Sequence, residues 1–165
     1  MQGMPTDNGL FMPEYIPNHN TLVKGISELS FQDIAYVISK SILTEDFSNS
    51  EIEEIIDQSI TFDSPLVNIV DNINILELFH GPTLAFKDFG ARFMARTMEK
   101  LVSNNNKELN ILVATSGDTG SAVAHGFYNV EGINVIILYP SGKVSNIQEK
   151  QLTTLDKNIY ALEIK

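Results

Sequence analysis

Lys87 is the residue of this sequence with the strongest potential for covalent chemistry. It lies in the segment FHGPTLAFKDFGARFMAR (Phe79–Arg96), directly after Phe86 and before the pair Asp88 and Phe89. The dipole at the start of a helix disfavours a positive charge, and aromatic neighbours exclude water, so both effects favour the neutral amine. A neutral lysine amine is the nucleophile that Schiff-base chemistry requires. The alternative is a lysine that extends from an amphipathic helix into solvent, with Asp88 as its counter-charge, and the local pattern alone favours this alternative.

A second segment with chemical potential is the turn TSGDTG (Thr115–Gly120), which lies between a predicted strand and a predicted helix. In an open α/β sheet, ligands bind beyond the carboxyl ends of the strands, and a helix start offers unpaired N–H groups to an anion. Gly117 and Gly120 permit a close backbone approach or a positive φ angle, and three hydroxyl side chains add donors. The turn matches neither a Walker A loop nor GxGxxG, so it does not indicate nucleotide binding. The alternative is a plain capping turn, since Ser, Asp and Thr all cap helices.

The remaining polar residues give weaker signals. His19, His80 and His125 have no ligand spacing, so no metal site is predicted; His80 is expected in a turn near the site and His125 in the core. Arg92 and Arg96, four residues apart, are expected to form the solvated face of a helix. The sequence has no cysteine, which excludes disulfides, thiolate zinc sites and thiol nucleophiles and fits a cytoplasmic setting.

Composition and charge exclude several classes of protein. The 165 residues are 43% hydrophobic and carry a formal net charge of −10. Residues 1–80 contain 2 lysines and 13 acids, for −11, and residues 81–165 contain 9 lysines and arginines and 8 acids, for +1. A nucleic-acid partner would need a basic surface patch, so none is expected. No apolar run approaches the roughly 20 residues of a membrane span, and the first residues lack the features of a secretory signal.

The elements that must position these residues form an α/β pattern. From residue 73 onward, apolar strands alternate with helices, which predicts a parallel sheet covered by helices on both faces. The predicted strands are Ile73–Phe79, Leu109–Ala114, Asn134–Tyr139 and Ile159–Ile164, with a helix from about Leu84 to Leu101 and two more inside Ser121–Val130 and Ser145–Leu155. The chain is therefore predicted to divide into an N-terminal helical region, 1–72, and an α/β region, 73–165.

Two helices are predicted in the N-terminal region. Ser30 and Ser48 are their expected N-caps, each with an acidic residue three positions later. Apolar residues at helical spacing predict that both helices face the core. The two apolar stripes are Phe31, Ile34, Ala35, Ile38 and Ile42 in the first helix, and Ile52, Ile55, Ile56 and Ile60 in the second.

Four segments, taken together, resemble the threonine synthase family, whose members are pyridoxal-phosphate enzymes of the tryptophan synthase β group (fold type II). GLFMPEYIP (Gly9–Pro17) resembles the family's N-terminal segment, and ELFHGPTLAFKDFGARFMA (Glu77–Ala95) its cofactor-lysine segment. ATSGDTGSAVAHGF (Ala114–Phe127) is similar to its substrate-loop motif, and LYPSGKVSNIQEKQLTT (Leu138–Thr154) to the strand and helix that follow. The lysine and loop segments, in this order and spacing, are more specific than either alone and favour the cofactor-binding interpretation of Lys87.

This resemblance implies conversion of O-phospho-L-homoserine and water to L-threonine and phosphate, by β,γ-elimination and then addition of water at Cβ. It implies that Lys87 binds pyridoxal 5'-phosphate covalently and moves protons at the substrate's Cα and neighbouring carbons. The loop would hold the amino-acid carboxylate, with Asp118 near the cofactor ring. The implied cofactor-binding residues are Lys87, Asp118 and Phe86, and the implied substrate-binding residues are Thr115, Ser116, Gly117, Asp118, Thr119 and Thr83, with Lys143 and Lys150 as further candidates for the substrate phosphate.

The family's chains are much longer than this sequence. In the family, the glycine-rich loop that holds the cofactor phosphate and the group at the pyridine nitrogen come after the position that corresponds to Lys165. We therefore expect an incomplete part of the fold, and we predict that the 165-residue chain alone binds pyridoxal phosphate weakly and has little or no synthase activity. The expected partner is a small-molecule substrate, and homo-oligomerisation is left open.

Two alternatives remain at this stage. The first is another lyase of the same fold group, such as a threonine/serine dehydratase, although its lysine segment differs from FHGPTLAFKDFG. The second is a non-catalytic protein that binds a small anion at the TSGDTG loop, and the presence of Lys87 weighs against it.

Overall fold

The computed structural model describes residues 5–104 and 108–165. Its N-terminal part is helical, as predicted: after an extended segment come α1 (Asn20–Gly25), a 3-10 turn (Ile26–Glu28), α2 (Phe31–Leu43) and α3 (Asn49–Ser59). Both predicted caps are confirmed. The Ser30 hydroxyl accepts from the Asp33 N–H at 3.1 Å, and the Ser48 hydroxyl accepts from the Glu51 N–H at 3.3 Å. In each case the acidic side chain accepts from the serine N–H in return, which completes a capping box.

The prediction that both helices face the core through their apolar stripes is correct for α3, whereas in α2 the predicted stripe is wrong. Ile52, Ile55 and Ile56 of α3 are buried, whereas α2 has no buried residue, and Ile42 of its apolar stripe is 55% exposed. The residues of α2 that reach the small core around Phe47 are instead Tyr36 and Leu43, at the edge of the predicted stripe. The two helices have similar apolar patterns, so the difference arises from which neighbours each one meets.

A two-stranded antiparallel hairpin follows the helices. It consists of β1 (Leu66–Val70) and β2 (Ile73–Leu76), joined at Asp71, whose φ angle of 49° is left-handed. The predicted strand at Ile73–Phe79 is therefore real but shorter, and its partner is β1, which the sequence analysis missed, rather than the parallel sheet. The hairpin spans residue 72, where the sequence suggested a domain boundary, and the division into 1–72 and 73–165 stays a prediction.

The second half of the chain forms the predicted parallel sheet. Its elements are α4 (Lys87–Ser103), β3 (Leu109–Ala114), α5 (Asp118–Gly126), β4 (Ile133–Pro140), α6 (Asn146–Thr153) and β5 (Ile159–Ile164). The strand order is β3-β4-β5, and both pairs are parallel, with Ala114 beside Leu138 and Leu138 beside Leu162. The turns after β3 and β4 therefore lie at the same edge of the sheet, which is where α/β proteins bind ligands.

Helices cover one face of this sheet. Val135, Ile137 and Tyr139 of β4 are buried in a core that α4, α5 and α6 close. On the opposite face Leu112 is 66% exposed and Leu162 is 52% exposed. Within the described ranges, the expectation that both faces are covered is thus met for one face only. No helix among these residues is long and apolar enough to cross a bilayer.

The contact between α4 and α5 depends on small residues. A Cβ atom added at Gly126 would lie 3.0 Å from the backbone carbon of Ala91 and 3.2 Å from its Cβ. This contact sets the distance between the helix that carries Lys87 and the helix that begins at the TSGDTG turn.

We expect the substitution Gly126→Ala to lower the free energy of unfolding by about 1–2 kcal/mol, because the added methyl meets backbone that cannot rotate away. The matched control is Gly90→Ala on α4, where an added Cβ meets nothing within 4 Å. This control should raise stability by up to about 1 kcal/mol through helix propensity alone. Urea unfolding of both variants checks the pair, and equal effects of the two substitutions would contradict the packing argument.

Candidate active site

A cleft of about 420 Å³ lies between α4 and α5, within the usual size range of small-molecule sites. It brings together the two segments that the sequence analysis singled out, because Lys87 lines one side and Thr119 the other. Its lining residues are mostly apolar or small: Phe86, Lys87, Gly90, Ala91, Met94, Thr119, Ala122 and Val123. The cleft thus has one amine in an apolar wall, opposite the start of a helix.

Lys87 is the first residue of α4 and is half-buried. The helix begins there and not at Leu84, because Leu84 has a left-handed φ angle of 62°. The Lys87 Nζ lies 4.5 Å from the centroid of the Phe86 ring, in a cation–π contact. Of the two neighbouring phenylalanines, Phe86 is therefore the one beside the amine. The Phe89 ring packs against the Phe62 ring instead, with 4.7 Å between the ring centroids.

Asp88 is not a solvated counter-charge for Lys87. Its side chain is 1% exposed, and its carboxylate accepts the Thr83 N–H at 2.9 Å and the Thr83 hydroxyl at 2.6 Å. Gly81 belongs to the same turn, and a Cβ there would overlap the Asp88 side chain. The buried carboxylate thus fixes the turn that leads into α4, and with it the position of Lys87. The Thr83 hydroxyl donates within this turn, and its contact with a substrate stays a prediction.

The TSGDTG turn is held by the side chain of its first residue. The Thr115 hydroxyl oxygen accepts from the N–H groups of Gly117 and Gly120, both at 3.2 Å. The backbone N–H groups of Ser116, Asp118 and Thr119 donate to no other residue in 5–104 or 108–165. The positive end of α5 therefore presents free donors beside the cleft, which suits a carboxylate or phosphate group.

The two glycines of the turn serve close approach and not a positive φ angle. Gly117 is extended, with a φ angle of 169°. A Cβ at Gly120 would overlap the Thr115 Cγ2 and lie 3.2 Å from the Leu152 Cδ2, and a Cβ at Gly117 would lie 2.7 Å from the Gln148 Nε2. The sequence left open whether these glycines allow a close backbone approach or a positive φ angle, and the structure shows that they allow the close approach.

We expect Gly120→Ala to destabilise the protein by about 2 kcal/mol and to displace the Thr115 side chain from its two N–H donors. In the double variant Gly120→Ala with Thr115→Ser, the clashing methyl group is absent and the hydroxyl is kept, so about half of the lost stability should return. Urea unfolding of the two variants and of Thr115→Ser alone measures this coupling. Strictly additive effects would show that the Thr115 methyl is not the obstacle.

The other predicted residues of the loop lie outside the lining of the cleft. Thr115, Ser116, Gly117 and Asp118 are close to it in sequence, but only Thr119 lines it together with Lys87 and Phe86. The exposed carboxylate of Asp118 accepts from the Gln148 Nε2 at 2.9 Å. Its position next to a cofactor ring stays a prediction, as do the roles of the loop residues in substrate binding.

The arginines of α4 differ from their expected role as a solvated face. Arg92 donates to the carbonyls of Ser59 at 3.1 Å and Gln58 at 2.8 Å, and so closes the end of α3. Burial lowers the pKa of the Arg92 guanidinium, and the nearby charge of Arg96 acts in the same direction. Arg96 pairs with Glu99 at 2.8 Å. Both arginines are half-buried and tie elements together.

His80 and His125 lie on separate elements of the structure. No group of metal-ligating side chains occurs in the part of the chain that the structure describes. His80 lies 2.7 Å from the Glu77 carboxylate, next to the turn that precedes α4. His125 is half-buried on α5, and this burial lowers its pKa, with the Asp88 charge opposing the shift.

Two residues that organise the site were missed. From the sequence, Asp88 was expected only as a counter-charge of Lys87, and no role was predicted for Gln148. The signal for Gln148 was present, because it stands three residues after Ser145 at capping-box spacing, and this box is formed. Its second bond, to Asp118, joins residues 30 positions apart and has no local signature.

This chain is similar to known threonine synthases. A family model described as the threonine synthase N terminus matches residues 1–60. The threonine synthase of Haemophilus influenzae is 45% identical over 163 residues, which cover 99% of this chain and 38% of that protein. The threonine synthase of Saccharomyces cerevisiae is 40% identical over an alignment length of 185 residues, and the alignment covers 99% of this chain and 36% of that protein.

Solved structures give the same result for the fold. The crystal structure of threonine synthase from Escherichia coli superposes with a TM-score of 0.87 at 40% identity, covering 99% of this chain and 38% of that one. The PLP-bound threonine synthase of Brucella melitensis superposes with a TM-score of 0.91 at 31% identity, covering 99% of this chain and 37% of that one. The chain spans well under half the length of these relatives. Over its length, it matches the N-terminal part, about 38%, of threonine synthases.

Proposed function

We propose that this chain supplies the lysine side of a threonine synthase active site, which uses pyridoxal phosphate to convert O-phospho-L-homoserine and water to L-threonine and phosphate. The observation that carries the proposal is the cleft that Lys87 and Thr119 line together. The reaction and the substrate come from the likeness to threonine synthases, one of which has a PLP-bound structure.

The residues of the cleft suit a pyridoxal group. Its walls are small and apolar at Ala91, Ala122 and Val123, which leaves room for a flat ring. The Lys87 amine lies at one side, where an aldehyde could react with it. The free N–H groups at the start of α5 lie on the other side, where a substrate carboxylate could bind. The donor set therefore matches an amino-acid substrate between the lysine and the loop.

Each residue has a distinct role in this proposal. Pyridoxal phosphate, when bound, supplies the electron sink for negative charge at the substrate carbons. Lys87 holds the cofactor and moves the proton at the substrate's Cα. The N–H groups of Asp118 and Thr119 hold the substrate carboxylate. Phe86 shields the amine from water, and Asp88 keeps Lys87 in place through the preceding turn.

Product analysis of the complete polypeptide that the gene encodes tests this function. With pyridoxal phosphate present, we expect phosphate and L-threonine from O-phospho-L-homoserine, and no turnover of L-threonine. Ammonia and 2-oxobutyrate from L-threonine would favour the dehydratase alternative. Turnover of neither substrate would favour the non-catalytic anion-binding protein.

We also propose that the 165-residue chain by itself binds pyridoxal phosphate weakly and turns over little or no substrate, since its relatives are more than twice as long. Stoichiometric cofactor binding with full turnover by the isolated chain would overturn this part of the proposal.

A further inference from the structure

Gln148 joins two turns at the ligand-binding edge of the sheet. It lies on α6, in the segment that follows β4, and its amide nitrogen donates to the Asp118 carboxylate at 2.9 Å. Its amide oxygen accepts from the Ser145 N–H at 3.2 Å and from the Ser145 hydroxyl at 3.0 Å. Asp118 is the first residue of α5 and Ser145 is the N-cap of α6, so one side chain connects the starts of both helices.

The orientation of this amide follows from its partners. The Asp118 carboxylate can only accept, and the Ser145 N–H can only donate. A flipped amide would place oxygen against the carboxylate and NH₂ against the N–H, and it would lose both bonds. The two contacts together therefore fix the Gln148 side chain in one orientation.

A second observation shows that the backbone of the TSGDTG turn lies close to the Gln148 side-chain amide. A Cβ at Gly117 would lie 2.7 Å from the Gln148 Nε2 and 3.4 Å from its Cδ. The backbone of the TSGDTG turn thus passes against Gln148, and Gly117 leaves the space for it. Thr119, two residues further on, lines the cleft with Lys87.

We propose that Gln148 is a positioning residue for the site: it holds Asp118 and the neighbouring N–H donors in the orientation that binds the substrate carboxylate. The inference rests on the proposed synthase function, and it adds α6 to the elements that define the site. Gln148 touches no reacting atom, so it acts through Asp118 and the turn.

The test compares four variants in the complete polypeptide. Gln148→Glu keeps the acceptor for Ser145 but turns the donor to Asp118 into a repelling carboxylate. Gln148→Glu with Asp118→Asn exchanges donor and acceptor and can restore the bond. Asp118→Asn alone is the reference for that double variant. Gln151→Glu makes the same chemical change on the same helix, three residues away, and is the matched control.

We expect Gln148→Glu to raise KM for O-phospho-L-homoserine about tenfold and to change kcat less than about threefold. The double variant should recover most of this loss relative to Asp118→Asn, and Gln151→Glu should behave like the wild type. Hydrogen exchange at the Gly117 and Gly120 amides, which donate to the Thr115 hydroxyl, should speed up in Gln148→Glu and slow again in the double variant. Wild-type KM and exchange in Gln148→Glu, or no recovery in the double variant, would overturn the proposal.

The two readouts also separate this inference from the proposed function. If the wild-type protein turns over no O-phospho-L-homoserine, the synthase function fails. In that case the exchange rates alone decide the role of Gln148: faster exchange in Gln148→Glu with recovery in the double variant supports it, and unchanged exchange contradicts it.

Discussion

Lys87→Ala is expected to abolish turnover of O-phospho-L-homoserine, with a loss of about 10³-fold or more in kcat. The reason is that Lys87 is the one lysine that lines the cleft between α4 and α5 in the described part of the chain, with its Nζ over the Phe86 ring. Among the described residues, no second amine lines the cleft to take over the covalent and proton-transfer roles. Steady-state kinetics with saturating pyridoxal phosphate measures the effect.

Two controls sharpen this prediction. Lys87→Arg keeps the positive charge and the length of the side chain but has no amine that condenses with an aldehyde, so it should lose as much activity as Lys87→Ala. Lys24→Arg changes an exposed lysine of α1 and should leave kcat unchanged. If Lys87→Arg kept more than about a tenth of the wild-type kcat, Lys87 would be a charge partner and not the reacting amine.

The largest loss of stability is expected from Asp88→Ala, at about 3 kcal/mol in the free energy of unfolding. The substitution leaves the N–H and the hydroxyl of Thr83 without their acceptor in a buried turn. It also opens a cavity beside Gly81, whose backbone packs against the Asp88 side chain. Urea unfolding measures the loss.

Changes at Thr83 separate the hydrogen bonds from the cavity. Thr83→Ser keeps the hydroxyl and should cost less than about 1 kcal/mol, whereas Thr83→Val removes the donor and should cost about 1–3 kcal/mol. If Thr83 also contacts the substrate, Thr83→Val will raise KM beyond the effect of Thr83→Ser. A loss below about 1 kcal/mol for Asp88→Ala would show that the carboxylate does not hold the turn.

Local patterns predicted those parts of the fold whose causes are local. The caps at Ser30 and Ser48 and the strands β3 and β5 were placed correctly, because a capping box and a short apolar run are both visible within six residues or so. The hairpin strand Leu66–Val70 was missed for a physical reason. Its apolar residues point to both faces and most stay exposed, so the sequence lacks the alternation of a half-buried strand.

The site shows the same division between local and tertiary causes. Lys87 and the TSGDTG turn could be found because a lysine among phenylalanines and a glycine-bearing turn before a helix are unusual in themselves. Their meeting in one cleft depends on the close contact of Gly126 with Ala91, which only packing reveals. The bond from Gln148 to Asp118 crosses 30 residues, and no pattern within either segment predicts it.

The most direct test of the account is to identify the lysine that binds pyridoxal phosphate. The complete polypeptide is incubated with pyridoxal phosphate and reduced with borohydride, and the modified peptide is sequenced by mass spectrometry. We predict a single stoichiometric adduct at Lys87, which is lost in Lys87→Arg and kept in Lys24→Arg. An adduct at another lysine, or none under conditions of synthase turnover, would contradict the placement of the cofactor in the cleft between α4 and α5.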